Sequence, residues 1–144
     1  MRILYMGTPE FAVAPLQNLI NQNYTIVGVV TAPDKPAGRG QQISMSAVKT
    51  CALQHNLSIF QPTNLKSEEF ITQVRTLQPD IILVIAFRML PKVIWEIPPL
   101  GTINIHGSLL PQYRGAAPIH WAVVNGETQT GVTSFYINET IDTG

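Results

Sequence analysis

The sequence predicts an α/β fold in which a mostly parallel sheet carries helices on both of its faces. The apolar residues alternate along the chain between a strand-like pattern and a helix-like pattern. This order of strand, helix, strand and helix is typical of parallel sheets that are covered on both faces. Such sheets bind ligands at the carboxyl ends of their strands, near the point where the strand order changes direction.

The individual elements follow from short apolar runs and from apolar residues at helical spacing. The first run ends at Gly7, the second is rich in β-branched side chains, and Pro79 closes a helix just before the most apolar run. The predicted strands are residues 2–6, 25–30, 57–60, 80–86, 102–105 and 131–137. The predicted helices are residues 11–20, 48–56, 70–77 and 116–124.

One segment departs from this alternation. Residues 31–44 read TAPDKPAGRGQQIS and contain two prolines and two glycines. The segment is longer than the usual strand-to-helix connection of about 2–6 residues. We therefore interpret it as an irregular loop that is functional or mobile.

Composition narrows the class of protein. The chain has 144 residues, nine basic against nine acidic side chains, and only 12% charged residues, about half the usual share. This length suits one domain, and the zero net charge argues against a protein that coats nucleic acid through overall charge. The one cysteine, Cys51, excludes a disulfide framework and a multi-cysteine zinc site, and we expect it to be a small buried apolar residue.

No segment resembles a secretory signal or a membrane span. The longest apolar run, residues 81–87, is far shorter than the roughly 18 residues that a membrane helix needs. We expect a cytoplasmic protein without a membrane partner.

The loop after the first predicted strand reads GTPEF and begins at Gly7. It contains neither the glycine pattern of a dinucleotide fold nor that of a phosphate-gripping loop. Gly7 and Thr8 form either a tight turn that brings the backbone near a ligand or a turn with no role beyond its geometry.

The candidate catalytic residues lie in INIHGSLLPQYRGAAP, residues 103–118. Asn104 and His106 are two apart at the end of a strand, so their side chains leave the sheet on the same side. An amide and an imidazole there suit the stabilisation of an oxyanion and the movement of a proton, as acyl transfer requires. Asp142, in the loop after the last strand, is placed to fix the tautomer of His106 and to stabilise its charged form. We therefore expect these three side chains to converge on one cleft.

Several motifs give the chain its resemblance to a known family. They are GTPEFAV (7–13), PDKPAGRG (33–40), FQP (60–62), NIHGSLLPQYRGAAPIHWA (104–122) and GVT with IDTG (131–144). Together they resemble the N-terminal catalytic domain of the methionyl-tRNA formyltransferases, within the folate-dependent formyltransferase family. The resemblance implies a Rossmann-like fold, and it implies that residues 1–144 are part of this domain. A truncation at the C-terminal side would leave the tRNA-binding C-terminal domain outside this chain.

The resemblance also implies a reaction. The expected enzyme transfers a formyl group from 10-formyltetrahydrofolate, as co-substrate, to the α-amine of methionyl-initiator-tRNA, without a metal ion and as a monomer. In this reaction Asn104 would bind the developing oxyanion, His106 would assist proton transfer, and Asp142 would orient His106.

The resemblance further implies two binding surfaces. The folate site would be formed by the two segments Phe87, Arg88, Met89, Leu90 and Ser108, Leu109, Leu110, Pro111. Arg88 is a departure, because many relatives carry glycine there. The acceptor stem of the tRNA would bind Lys35 and, above all, Arg39, in a segment (31–50) with three basic side chains against the acidic Asp34.

Two alternatives to this reaction remain open from the sequence. The acceptor could be a small amine, as in the formyltransferases that act on glycinamide ribonucleotide or on nucleotide sugars. The chain could also be a folate-binding fragment without catalytic activity. The segment 31–44 favours the tRNA acceptor, because a small acceptor has no need of a basic loop there.

Overall fold

A computed structural model gives the fold and describes residues 1–40, 42–108, 110, 114–115, 118, 124–126, 129 and 131–139. The strands are β1 Arg2–Gly7, β2 Thr25–Val30, β3 Lys35–Ala37, β4 Gln42–Ser44, β5 Ile59–Phe60, β6 Ile81–Ile85, β7 Thr102–His106 and β8 Thr133–Tyr136. The helices are a 3-10 turn, Glu10–Ala12, followed by α1 Val13–Asn21, α2 Ala47–Gln54, α3 Glu68–Leu77 and α4 Lys92–Trp95. The predicted α/β class is confirmed.

The described strands form a six-stranded sheet in the order β5-β2-β1-β6-β7-β8. All neighbouring pairs are parallel except β7 and β8, which run antiparallel. The chain first builds the sheet outward from β1 through β2 to β5 and then returns to place β6 on the other side of β1. The strand order therefore changes direction between β1 and β6, which is where such sheets form a ligand crevice.

Each face of the sheet packs against its own helices. On one face, Leu4, Met6 and Val84 pack with Phe70 of α3 and Ile94 of α4. On the other face, the core includes side chains from both α1 and α2, together with the predicted buried cysteine: Tyr5, Val29, Leu16, Val48 and Cys51. The two faces follow from the two-residue period of the strands, which sends successive side chains to opposite sides.

The turn after β1 depends on close packing at Gly7. A Cβ atom on Gly7 would lie 2.7 Å from the Ala12 Cβ and 2.8 Å from the Ile85 backbone oxygen. The buried Tyr5 hydroxyl donates a hydrogen bond to the Ala12 backbone oxygen at 2.5 Å, which holds the 3-10 turn against β1. Burial raises the Tyr5 pKa, so this hydroxyl stays protonated and available as a donor. Gly7 is therefore required by packing, which supports the purely geometric interpretation of this turn.

The interpretation of residues 31–44 as an irregular loop was wrong. Lys35 pairs with Ser44 and Ala37 with Gln42, so β3 and β4 form an antiparallel hairpin. The described side chains of this hairpin are exposed, so it lacks the alternating apolar pattern by which strands are recognised in a sequence.

One helix of the structure was not predicted, and one predicted helix cannot be compared with the structure. The short helix α4 was not predicted, because four residues between prolines give too little periodicity. The predicted helix 116–124 lies largely outside the described residues. Among the helices that the described residues form, none is both long and apolar enough to cross a membrane.

We expect Gly7→Ala to lower the free energy of unfolding by about 2 kcal/mol, as overpacking of a filled core does. Urea denaturation of the variant and its parent measures this difference. Gly28→Ala is the matched control, since its added Cβ would meet the side-chain atoms Phe60 Cε2 at 2.9 Å and Leu4 Cδ1 at 3.2 Å, which can shift. Equal losses in the two variants would contradict the role assigned to Gly7.

Candidate active site

A cavity of about 940 Å³ opens where β6 and β7 end, beside the change in strand order. Its volume falls near the upper end of the range of about 300–1,000 Å³ that is usual for small-molecule sites. Side chains of the α3 and α4 face form the apolar part of its wall, among them Val84, Leu90, Trp95 and Ile137. The cavity therefore combines an apolar interior with the carboxyl edge of the sheet.

Asn104 and His106 both line this cavity from β7. In the sheet, Asn104 is paired with Val84 of β6 on one side and with Phe135 of β8 on the other. His106 is only 6% exposed, whereas Asn104 is half-buried. The structure thus brings together two of the three predicted catalytic side chains, while Asp142 lies outside the described residues.

Thr133 fixes the backbone that follows His106, a role that could not be recognised in the sequence. Thr133 is paired with His106 across β7 and β8. Its hydroxyl donates to the Ser108 backbone oxygen at 2.7 Å and accepts a hydrogen bond from the Leu110 backbone nitrogen at 3.0 Å. Thr133 therefore holds the start of the SLLP segment beside the imidazole.

Of the two predicted folate segments, the described residues of the first line the cavity and those of the second do not. Phe87, Arg88, Met89 and Leu90 all line it. Ser108 is fully buried and Leu110 is half-buried, and the cavity wall at this point is formed by Gly107. Leu109 and Pro111 lie outside the described residues. A folate contact by this second segment stays a prediction.

The backbone turns sharply where β6 enters the cavity wall. Ala86 has a φ of +51°, in the left-handed region that non-glycine residues rarely adopt. This conformation costs about 1–2 kcal/mol per residue, which the surrounding contacts must offset. Since Ala86 itself lines the cavity, the strain lies at the candidate site.

Arg88 is tied to a neighbouring loop. Its guanidinium donates hydrogen bonds to the Pro62 backbone oxygen at 2.8 Å and to the Thr63 backbone oxygen at 3.1 Å. The guanidinium carbon also lies 5.0 Å from the centre of the Phe87 ring. Arg88 therefore links the cavity wall to the loop after β5.

An ion pair lies at the rim of the cavity. Lys92 Nζ of α4 is 2.8 Å from Glu139 Oε1, beyond β8, and 3.6 Å from Glu96 Oε1. The hydrogen bond and charge of Glu139 raise the pKa of Lys92, and Lys92 in turn lowers the pKa of Glu139. Lys92 and Glu139 both line the cavity, so the pair joins two of its walls. Lys92 and Glu139 are 47 positions apart in the chain, so this contact cannot be recognised in the sequence.

The two predicted tRNA-binding residues lie on the hairpin rather than in the cavity. Lys35 is in β3 and Arg39 is in the turn, and both side chains are exposed. The third basic residue of this segment, Lys49 of α2, is paired with Asp34, with its Nζ 2.7 Å from Asp34 Oδ2. Hydrogen bonds from Lys49 and then from Gln61 hold the Asp34 pKa below its ordinary value. Lys35 and Arg39 therefore carry the net positive charge of the hairpin.

Comparison with known proteins agrees with this architecture. The family model described as "Formyl transferase" matches residues 1–144. The chain is 62% identical over 144 residues to the methionyl-tRNA formyltransferase of Flavobacterium johnsoniae and 54% identical over 145 residues to that of Clostridioides difficile. All of the chain is covered in both comparisons, but only 46% and 47% of the relatives, so the chain spans about half their length.

A solved structure gives the same fold at low sequence identity. The phosphoribosylglycinamide formyltransferase of Bacillus halodurans superimposes with a TM-score of 0.76 at 20% identity, over 100% of this chain and 75% of that one. The fold predicted by the resemblance is thus confirmed. With its full length matched by the family model, this chain belongs to the formyl transferase family.

Proposed function

We propose that this chain carries the active site of an enzyme that formylates the α-amine of methionyl-initiator-tRNA with 10-formyltetrahydrofolate. The observation that carries the proposal is the pair Asn104 and His106 in the wall of the cavity at the carboxyl edge. Two relatives that are 54% and 62% identical to this chain are methionyl-tRNA formyltransferases, which supports the choice of reaction. A monomeric and cytoplasmic protein remains a prediction.

The residues of the cavity fit the proposed co-substrate. A folate has a flat pterin ring with polar edges, and the cavity offers apolar side chains such as Val84, Leu90 and Trp95 beside the exposed residue Ala86. Phe87 and Met89 also belong to this apolar wall. Bound there, 10-formyltetrahydrofolate would supply an activated formyl group on its N10 atom.

Asn104 and His106 then have distinct roles in the reaction. The methionyl amine forms a bond to the formyl carbon, the bond from that carbon to N10 breaks, and the amine loses a proton while N10 gains one. Asn104 donates its side-chain N–H to the formyl oxygen as negative charge develops there. His106 takes up the amine proton and delivers a proton to N10, acting as a general base and then as a general acid. Asp142 orients His106 in this proposal and stabilises its charged form.

The hairpin supports a macromolecular acceptor over a small amine. Lys35 and Arg39 present positive charge on an exposed arm that lies outside the cavity. A guanidinium binds phosphate with two parallel hydrogen bonds and stacks on exposed bases, as binding to an acceptor stem requires. A small acceptor that enters the cavity has no use for charge at this position.

The decisive experiment measures formyl transfer by this chain completed to the length of its curated relatives, called here the completed chain. Purified protein is incubated with 10-formyltetrahydrofolate and either methionyl-initiator-tRNA or glycinamide ribonucleotide. We expect formyl-methionyl-tRNA only. Turnover of the small amine would favour the alternative acceptor, and folate binding without either product would favour a non-catalytic protein. The 144-residue chain alone should formylate tRNA poorly, because relatives contain as much chain again beyond the matched part.

We expect Asn104→Ala in the completed chain to lower kcat by about 10²–10³-fold, the usual effect of removing one oxyanion donor. The KM for the folate should change little, because the amide acts on charge that develops in the transition state. Steady-state kinetics with both substrates measure these values. The control is Ile103→Val, on the same strand but the opposite face. A loss confined to the KM for folate would contradict the proposed role.

We expect Arg39→Ala to lower kcat/KM for the tRNA by about 10- to 100-fold, since a charge-assisted hydrogen bond contributes about 1.5–3 kcal/mol. The KM for folate should stay the same, because Arg39 does not line the cavity. Arg75→Ala is the matched control, as Arg75 is an exposed arginine of α3 that lies outside the hairpin. If both variants lose tRNA activity equally, Arg39 has no specific role.

A further inference from the structure

In the part of the β3–β4 hairpin that the structure describes, no side chain belongs to either core cluster, so core packing does not fix the direction of the hairpin. The described side chains of Lys35, Pro36 and residues 42–44 are exposed. At Gly38 and Gly40 an added Cβ would meet no atom within 4 Å, so the turn projects into open space. What holds the hairpin against the protein must therefore lie at its base.

Polar contacts join the base of the hairpin to two separate parts of the fold, α2 and the segment after β5. Asp34, directly before β3, uses both carboxylate oxygens: Oδ2 accepts from Lys49 Nζ of α2 at 2.7 Å, and Oδ1 accepts from Gln61 Nε2 at 2.8 Å. Gln61, which follows β5, also donates to the Ala32 backbone oxygen at 3.1 Å. The Lys49 and Asp34 side chains are only 16% and 29% exposed, so solvent screens this pair less than an open surface pair.

The segment after β4 is also joined to the base of the hairpin by hydrogen bonds. Ser46, which caps α2 just after β4, has its hydroxyl 2.6 Å from the Thr31 hydroxyl. Thr8, in the turn after β1, accepts a hydrogen bond from the Ala32 backbone nitrogen at 3.3 Å. Both ends of the hairpin are therefore fastened near the carboxyl ends of β1 and β2.

The base of the hairpin lies close to the cavity. In the sheet, β2 is separated from β6 by β1 alone, a distance of about 10 Å at the usual strand spacing. A small change in the angle at which the hairpin leaves the sheet moves Arg39 by a larger distance, because Arg39 lies in the turn at the far end of the hairpin. The direction of the hairpin thus decides where Lys35 and Arg39 lie relative to the cavity.

On these grounds, and on the proposed function, we infer that Asp34, Lys49 and Gln61 form a hairpin clamp that aims the arm at the tRNA. The three are positioning residues, since they hold the arm without touching the substrate. In particular, Lys49 forms its ion pair with Asp34 and does not bind a phosphate of the tRNA.

Asp34→Asn separates this role from direct binding by Lys49. The variant keeps the charge of Lys49 and releases it from its partner, so a phosphate-binding Lys49 would preserve or improve tRNA use. The clamp predicts the reverse: Asp34→Asn and Lys49→Met should each lower kcat/KM for tRNA in the completed chain by about tenfold, with the KM for folate unchanged. The charge exchange Asp34→Lys with Lys49→Asp should recover most of the loss. Lys66→Met, an exposed lysine outside the clamp, is the charge-matched control.

A distance measurement tests the clamp independently of activity. Spin labels are placed at Gln42→Cys in β4 and at Glu69→Cys in α3, both exposed positions, in a completed chain with Cys51→Ala. We expect a narrow distribution of label distances in the parent and a broad one after Asp34→Asn.

An unchanged distribution would overturn the clamp, whatever the kinetics show. A broadened distribution with unchanged tRNA kinetics would show that the clamp has no role in tRNA binding. A loss of folate affinity as large as the loss of tRNA activity would show that the substitution destabilises the whole protein. If the parent itself does not formylate methionyl-tRNA, the proposed function fails while the distance measurement still decides the clamp.

Discussion

The parallel pairing of β1 with β6 is the constraint on which the candidate site depends. It joins the two halves of the sheet, with Ile3 next to Ile81 and Gly7 next to Ile85. The chain leaves β1 toward one side of the sheet and β6 toward the other, so a crevice opens where they end. Gly7 must be glycine for β1 to approach the Ile85 backbone this closely. Without that close approach, neither the cavity wall after Ile85 nor the base of the hairpin after Val30 would lie where it does.

The same sheet edge carries two kinds of surface. Beyond β6 and β7 the edge is concave and mostly apolar, with an amide and a buried imidazole in its wall. Beyond β2 it bears an exposed basic arm held by a polar network. One surface suits a flat co-substrate and the other suits a polyanion. In a group transfer between two such partners, both must be bound within reach of the same reacting atoms, and a single sheet edge provides this arrangement.

Features that depend on local periodicity could be predicted from the sequence. The strand period of two placed Asn104 and His106 on one side of β7, and apolar spacing placed Cys51 in the core. Contacts between distant residues could not be predicted. Arg88 reaches carbonyl groups 25 and 26 residues earlier, and the pairing of Thr133 with His106 exists only after β8 docks antiparallel to β7. The hairpin was missed for a different reason, because exposed strands have no buried face to impose an alternating pattern.

The contacts of Arg88 with the loop after β5 affect which ligands can enter the cavity. Its two hydrogen bonds to Pro62 and Thr63 place a permanent cation at the mouth of the cavity and occupy two of its donor groups. A guanidinium has five N–H donors, so others remain to meet an acidic group on an entering molecule. Replacement of Arg88 by glycine would widen the mouth and remove that charge. A ligand with a carboxylate near its outer end would therefore distinguish a cavity with this arginine from one with glycine at the same position, while its inner end occupied the apolar part of the cavity.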